Sequence, residues 1–202
     1  MLQPILYIIA SYLLGAIPFS ILVCYLIKGV DVRNFGSGNA GATNVYRVAG
    51  LPAAIIASVL DIAKGALPVL AVKLTLPGQE WLQVVCGLAA VLGHIFPVFV
   101  GFRGGKGVNT LLGMLLVLLP LEVGICLAIF ALTFFFSRIV SLGSIIAGVS
   151  LSLIVVIEKY AIGKNLSYLI VCTCLLVSLL VLFTHRANIK RLITGQESKL
   201  SR

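Results

Sequence analysis

Gly36, Gly38 and Gly41 punctuate "GSGNAGATN", a stretch with the composition of an anion-binding loop. Glycines at that spacing let successive backbone N–H groups turn onto one concave surface, a shape that holds anions. Ser37, Asn39, Thr43 and Asn44 add neutral hydrogen-bonding groups, and Arg47 adds a planar cationic fork suited to phosphate. The plainer reading is a flexible connection that merely turns the chain. The density of side-chain amides, with no Lys, Glu or Pro among them, favours binding.

A second glycine-rich stretch lies in "GHIFPVFVGFRGGKGVNT", residues 93–110. Gly104, Gly105 and Gly107 flank Lys106, and a helix is expected to begin just beyond, so that its N-terminus and dipole face an anion. The match to a nucleotide-binding P-loop is loose. Val100 stands where the first glycine belongs, and Gly107 replaces the Ser or Thr that would meet magnesium, which argues against nucleoside triphosphates. His94, three residues before Pro97, reads as a helix-end histidine or as a group supporting the substrate. Ser141 and Ser144, after Arg138, are placed to cap a helix or to add hydroxyls to the same site. In "HRANIKRL", His185 and Asn188 share one helix face at i, i+3 within what is also a basic anchor. Asp61 and Lys64, again at i, i+3, fall inside an apolar run, where they either neutralise each other or meet substrate.

The elements that must carry these residues are membrane helices. Of 202 residues, 60% are hydrophobic and 10% charged, with mean hydropathy +1.17. Soluble domains carry about 25% charged residues. The deficit runs along the whole chain, so a single polytopic domain over 1–202 is expected. The long apolar run from Leu2 to Ile27, with no basic segment ahead of it, argues against a cleavable signal peptide. The net charge of +9 is distributed as short basic clusters between apolar runs, a topology signal rather than a nucleic-acid surface. Cys24, Cys86, Cys126, Cys172 and Cys174 all sit in apolar segments and read as inert small hydrophobes.

A bilayer core takes about 20 apolar residues per helix. That length predicts seven spans, at 3–27, 52–74, 81–100, 108–121, 122–137, 140–157 and 166–184, with Pro120 and Glu122 dividing the fourth from the fifth. Placing the first loop inside puts Lys28, Arg33, Arg47, Arg103, Lys106, Arg138, Arg186, Lys190, Arg191, Lys199 and Arg202 on the cytoplasmic side, 11 of 15 basic residues. Lys73, Lys159 and Lys164 fall outside and Lys64 within a span. The N-terminus is therefore expected outside and the C-terminus in the cytoplasm. Every glycine-rich or polar segment then lies on one face, with few carboxylates beside it. Such a face suits a substrate bearing one or two phosphates at the bilayer surface. Neither histidine has an aspartate four or five residues downstream, so the usual acyltransferase dyad is absent. Positioning and electrostatics must carry the chemistry. A small anion transporter is the alternative, although internal repeats and polar residues on both faces are missing. A lipid phosphotransferase wants clustered aspartates for magnesium, and only Asp31 and Asp61 are present.

The segments "GSGNAGATNVYRVAG", "DIAKG", "GHIFPVFVGFRGGKGVNT" and "HRANIKRLITGQE", in this order, resemble the bacterial acylphosphate-dependent glycerol-3-phosphate acyltransferases from end to end. The resemblance implies a seven-helix enzyme of the bacterial inner membrane with its active site at the cytoplasmic face. It implies transfer of a fatty acyl group from acyl phosphate to the 1-hydroxyl of sn-glycerol 3-phosphate, giving lysophosphatidic acid and phosphate, with no metal or other cofactor. By the same resemblance Ser37, Asn39 and Asn44 hold phosphoryl and carbonyl oxygens, and Arg47 and Lys106 hold the glycerol phosphate. His185 and Asn188 orient the acceptor, and His94 supports the site. The partners expected are the two substrates and the bilayer, with no nucleic acid, in a monomer or weak dimer.

Overall fold

The computed structural model describes residues 2–200, so that Arg202 of the charge argument lies outside the described residues. The chain falls into two compact helical units, residues 1–118 and 119–202.

The first unit holds α1 (Leu2–Ala16), α2 (Phe19–Lys28), α3 (Ala42–Thr75), α4 (Glu80–Ile95) and α5 (Val108–Leu118). The expected first span is broken between α1 and α2, because Pro18 has no N–H to continue the helical ladder. The polar stretch after α2 is only partly a loop. Helix begins at Ala42, and α3 bends at Gly50, whose φ of 84° belongs to the left-handed region. Two glycine-lined seams tie the unit together. Along the first, a Cβ on Gly15 would lie 2.1 Å from the Ala90 carbonyl oxygen, and one on Gly93 2.3 Å from that of Tyr12. Along the second, a Cβ on Gly65 of α3 would lie 2.0 Å from the Thr110 carbonyl oxygen, and one on Gly113 of α5 1.9 Å from that of Ile62. Small residues at helix interfaces let backbones meet this way in a membrane. The second seam sets the start of α5, and with it the glycine-rich turn, beside the part of α3 that carries Asp61 and Lys64.

The second unit holds α6 (Pro120–Ser137), α7 (Val140–Tyr160), α8 (Tyr168–Thr184) and α9 (Arg186–Ile193). Ser152 and Ser178 join α7 to α8: their hydroxyls lie 2.5 Å apart, so one donates to the other, and the carbonyls of Cys174 and Gly148 on the facing helices lie within reach as acceptors for the proton that remains. At one end Lys164 pairs with both Glu122 and Glu158. At the other, α9 departs from α8 at a bend of 61°.

Among the described residues five helical segments are long and apolar enough to cross a membrane, α1 and α2 counting as one, and the bent α8–α9 pair, taken as one span, makes a sixth. Seven spans were expected. The difference is α5, whose 11 residues rise about 16 Å against a core of about 30 Å. The division after it falls at Leu119 rather than between 121 and 122, because Pro120 opens α6 instead of ending α5. Outward-facing Leu26, Leu74 and Phe136, each more than 70% exposed, are side chains that lipid rather than water must cover.

Candidate active site

The first glycine loop, between α2 and α3, is built around two side chains. Asn44, 1% exposed, donates through Nδ2 to the carbonyls of Val32 (2.8 Å) and Phe35 (3.0 Å) and accepts the Ser37 N–H at Oδ1 (2.9 Å). Its amide is thus engaged in shaping the loop. Gly36 and Gly38 adopt φ of 59° and 70°, which glycine reaches without strain. This leaves Ser37 and Arg47 exposed and Asn39 and Thr43 half-buried, with Gly41 at the N-cap of α3.

Arg33 is the second builder. It forks onto Asp31, with Nε 3.1 Å from both carboxylate oxygens and Nη2 2.7 Å from Oδ2. Through Nη1 it also donates to the carbonyls of Val100 (3.0 Å) and Arg103 (3.3 Å). One guanidinium therefore ties the first loop to the second. The Arg33 hydrogen bonds outweigh partial burial and hold the Asp31 carboxyl below its usual range. Arg33→Lys is expected to lower kcat/KM by about tenfold or more, because an ammonium cannot span a bidentate carboxylate and two carbonyls at once. Wild-type kinetics in that variant would remove Arg33 from the account.

The second loop, residues 96–107, turns back on α4. The N–H groups of Gly104 and Gly105 donate to the carbonyls of Ile95 and His94, both at 3.2 Å. The expectation that both present open amides to an anion is corrected on this point: they close the end of α4. Their glycine character serves close approach instead. A Cβ on Gly104 would lie 1.9 Å from the His94 carbonyl oxygen, and one on Gly105 2.3 Å from His94 Nε2 and 2.4 Å from the Ala40 carbonyl oxygen. Gly107, at φ 80°, makes the turn into α5, leaving Lys106 half-buried between the close-packed glycine and the turning one.

Below the loops lies a buried cluster. Lys64 Nζ is 2.9 Å from Asp61 Oδ1 and donates to the Ile17 carbonyl (2.8 Å) at the break between α1 and α2. Ser20 donates to Asp61 Oδ2 at 3.2 Å, and His94 Nδ1 is 3.5 Å from Oδ1. A cleft of about 210 Å³, counting its open mouth, runs past Ser20, Ala40, Asp61, Lys64, His94 and Gly105.

In the second unit, His185 ends α8 and Asn188 lies in α9, 2% and 6% exposed. His185 Nδ1 is 2.9 Å from the Val181 carbonyl. A carbonyl only accepts, so in the neutral ring Nδ1 carries the proton and Nε2 is the basic nitrogen. Asn188 Nδ2 donates to Glu197 Oε1, as does Ser141 Oγ at 2.6 Å, while Arg191 Nε reaches Oε2 at 2.6 Å. Burial raises the Glu197 carboxyl, but these three hydrogen bonds and the guanidinium charge outweigh it and hold it below the usual range. The serine caps expected for α7 are corrected. The helix starts at Val140 with no side-chain cap at Ile139, so Ser141 serves Glu197 and Ser144 donates to Val140 within the helix.

Arg33 and Glu197 were not among the expected site residues. Asp31-x-Arg33 beside a glycine loop is a signal that could have exposed the first. Glu197 lies in the quoted C-terminal segment but twelve residues past His185, too far for helix periodicity to connect them.

A helical membrane protein whose first unit carries two interlocked glycine loops, with exposed or half-buried cations beside them, is suited to handling a phosphorylated substrate. The chain belongs to the glycerol-3-phosphate acyltransferase family, whose model matches residues 5–195. A glycerol-3-phosphate acyltransferase of Chlorobaculum tepidum is 40% identical, covering 96% of this chain and 95% of the relative. One from Chlorobium phaeovibrioides is 40% identical over 95% and 94%. Two crystal structures of PlsY (YgiH), an integral membrane glycerol 3-phosphate acyltransferase, are similar throughout. Its glycerol 3-phosphate form has a TM-score of 0.90 at 37% identity, covering 98% of this chain and 96% of that one. The lysophosphatidic acid form has a TM-score of 0.88 at 36% identity with the same coverage. This chain is accordingly a multi-pass membrane acyltransferase of glycerol 3-phosphate, a step of phospholipid synthesis. The transporter alternative gains no support from these relatives.

Proposed function

We propose that the protein takes its acyl group from acyl phosphate and transfers it to the 1-hydroxyl of sn-glycerol 3-phosphate. The hydroxyl oxygen attacks the acyl carbonyl carbon, the carbon–oxygen bond to phosphate breaks, and lysophosphatidic acid and phosphate leave. The observation that carries the reading is the pair of glycine loops joined by Arg33, with Lys106 on the second and Arg47 in the early turns of α3, which follows the first. They supply cations for two phosphates beside a membrane-embedded fold that can receive an acyl tail. A mixed anhydride brings its own good leaving group, so this donor suits a site that works by positioning and electrostatics without metal or coenzyme A. Ser37 and Asn39 hold phosphoryl and carbonyl oxygens, Arg47 and Lys106 hold the acceptor phosphate, and His185 with Asn188 orient the hydroxyl. The chain works as one enzyme of the bacterial inner membrane, N-terminus outside, with α5 as a short seventh span and the glycine loops facing the cytoplasm.

Purified protein given acyl phosphate and radiolabelled glycerol 3-phosphate should form lysophosphatidic acid with or without chelator, and in oriented vesicles only when the acceptor is supplied on the cytoplasmic side. No product with acyl phosphate, but product with acyl-coenzyme A, would reassign the donor. Lys106→Ala and Arg47→Ala should each raise the acceptor KM about tenfold or more, the loss of one charge-assisted contact. Unchanged constants would overturn the phosphate assignment.

The hydroxyl proton goes either to the donor's own phosphate or to His185 Nε2. A pH–rate profile of His185→Gln separates the two. A histidine base predicts loss of the acidic limb of the profile, and a phosphate acceptor predicts a lower plateau with that limb intact.

A further inference from the structure

Asp61, Lys64 and His94 have no direct role in the transfer proposed above, yet they are 1%, 2% and 7% exposed. A buried carboxylate and ammonium are tolerated only when paired and hydrogen-bonded. Lys64 satisfies this through Asp61 and the Ile17 carbonyl, with its Nζ also 5.6 Å from the centre of the Phe19 ring. An ion pair kept for stability alone would be complete there. The cluster instead extends to His94, whose Nδ1 faces the same Asp61 Oδ1 at 3.5 Å and makes no closer polar contact among the described residues.

The other sides of His94 face the glycine-rich turn. Its carbonyl accepts the Gly105 N–H at 3.2 Å. Its Nε2 edge lies where a Gly105 Cβ would come within 2.3 Å, and its carbonyl oxygen where a Gly104 Cβ would come within 1.9 Å. Gly105 is thus pressed between the imidazole and the Ala40 carbonyl of the first loop. The ring packs directly under Gly105, and its orientation bears on where Gly105 and the next residue, Lys106, can lie.

We propose that Asp61, Lys64 and His94 form a positioning device that sets the place of Lys106 for the acceptor phosphate. Lys64, anchored on the carbonyl exposed at the α1–α2 break, fixes the Asp61 carboxylate. The carboxylate fixes the plane of the His94 ring, and the ring is the floor on which Gly104 and Gly105 rest. None of the three touches substrate. The proposal rests on the reading that Lys106 holds glycerol phosphate.

His94→Phe keeps a ring under the turn and removes both nitrogens. It should raise the acceptor KM by about 10- to 100-fold, the effect of misplacing a binding group by an ångström or so. The donor KM and the Tm should stay near wild type. Asp61→Leu combined with Lys64→Met strands no charge and should show the same selective rise. Either variant folding with a wild-type acceptor KM would overturn the proposal, as would a loss of Tm and kcat together, the mark of a merely structural cluster. Lys106→Ala in the same assay is the control. If it leaves the acceptor KM unchanged, the phosphate reading falls and the proposal with it. If it raises the KM while His94→Phe does not, only the positioning device is lost.

Discussion

Gly105→Ala is expected to raise the KM for glycerol 3-phosphate by about 100-fold and to lower kcat with it. The added methyl would sit 2.3 Å from His94 Nε2 and 2.4 Å from the Ala40 carbonyl oxygen. A flexible side-chain tip can step aside, but the Ala40 carbonyl belongs to the backbone of the first loop, and Ala40 is itself buried in the core of the unit. Relief comes from parting the two loops, which strains the Arg33 bonds to Val100 and Arg103. Overpacking of this kind costs about 1–3 kcal/mol. Gly101→Ala is the fitting comparison. Its φ of 71° disfavours a side chain, yet a Cβ there meets nothing within 4 Å, so it should cost about 1 kcal/mol of strain and little binding. Steady-state kinetics on both, with acceptor varied at saturating donor, check the claim. Equal effects would mean that backbone strain rather than loop-to-loop packing governs the turn.

The second large effect is expected at Glu197→Gln. Ser141, Asn188 and Arg191 converge on that carboxylate, which places the α9 segment around Asn188. A carboxamide can accept at its oxygen, but its NH2 group must face at least one of three donors, so a charge-assisted bond becomes a clash of donors. Each such bond contributes about 1.5–3 kcal/mol. A fall in kcat of about tenfold or more should accompany a lower Tm. The pH dependence supplies an independent check. The folded-state pKa of Glu197 is depressed, so its contribution is fully present above the unfolded value of about 4.3 and is lost as pH falls through the folded value. The Tm difference between wild type and Glu197→Gln should therefore be constant near neutrality and close in acid. A gap that persists through acid would show that charge is not what Glu197 contributes.

Apolar run length located most of the helices, because a bilayer-crossing helix must be long and almost free of charge, and Pro120 with Glu122 put the α5–α6 division at 121/122, shortly after Leu119 where it falls. It missed the break at Pro18, since a proline inside a long apolar run reads equally as a tolerated kink. It also ended the first polar loop too late: "ATNVYRVAG" is polar enough to resemble loop, yet packing of Val45 and Ala49 against the unit's core makes it helix. Residue type and glycine spacing marked both loops. What they could not show was which N–H groups remain available once Gly104 and Gly105 close onto α4. The histidine–carboxylate pair that sequence spacing ruled out exists in space, Asp61 meeting His94 across a separation that no local pattern reports. Its burial beside Lys64 makes it a support rather than a catalytic dyad. Arg33 and Glu197 escaped notice because each works by joining segments distant in sequence.

The Ile17 carbonyl that receives Lys64 also bears on how such a chain enters a membrane. An aspartate and a lysine in the middle of α3 each carry a penalty of about 2.5–3.5 kcal/mol when a helix faces lipid alone. The break at Pro18 takes the Ile17 carbonyl, which also receives the Phe19 N–H at 3.1 Å, out of the helical ladder in a segment synthesised before α3. By the time α3 emerges, shelter for its ammonium already lies in the bilayer, and Ser20 beside it receives the carboxylate. A break that looks like a defect in the first span is thereby a berth prepared for the charges of the next.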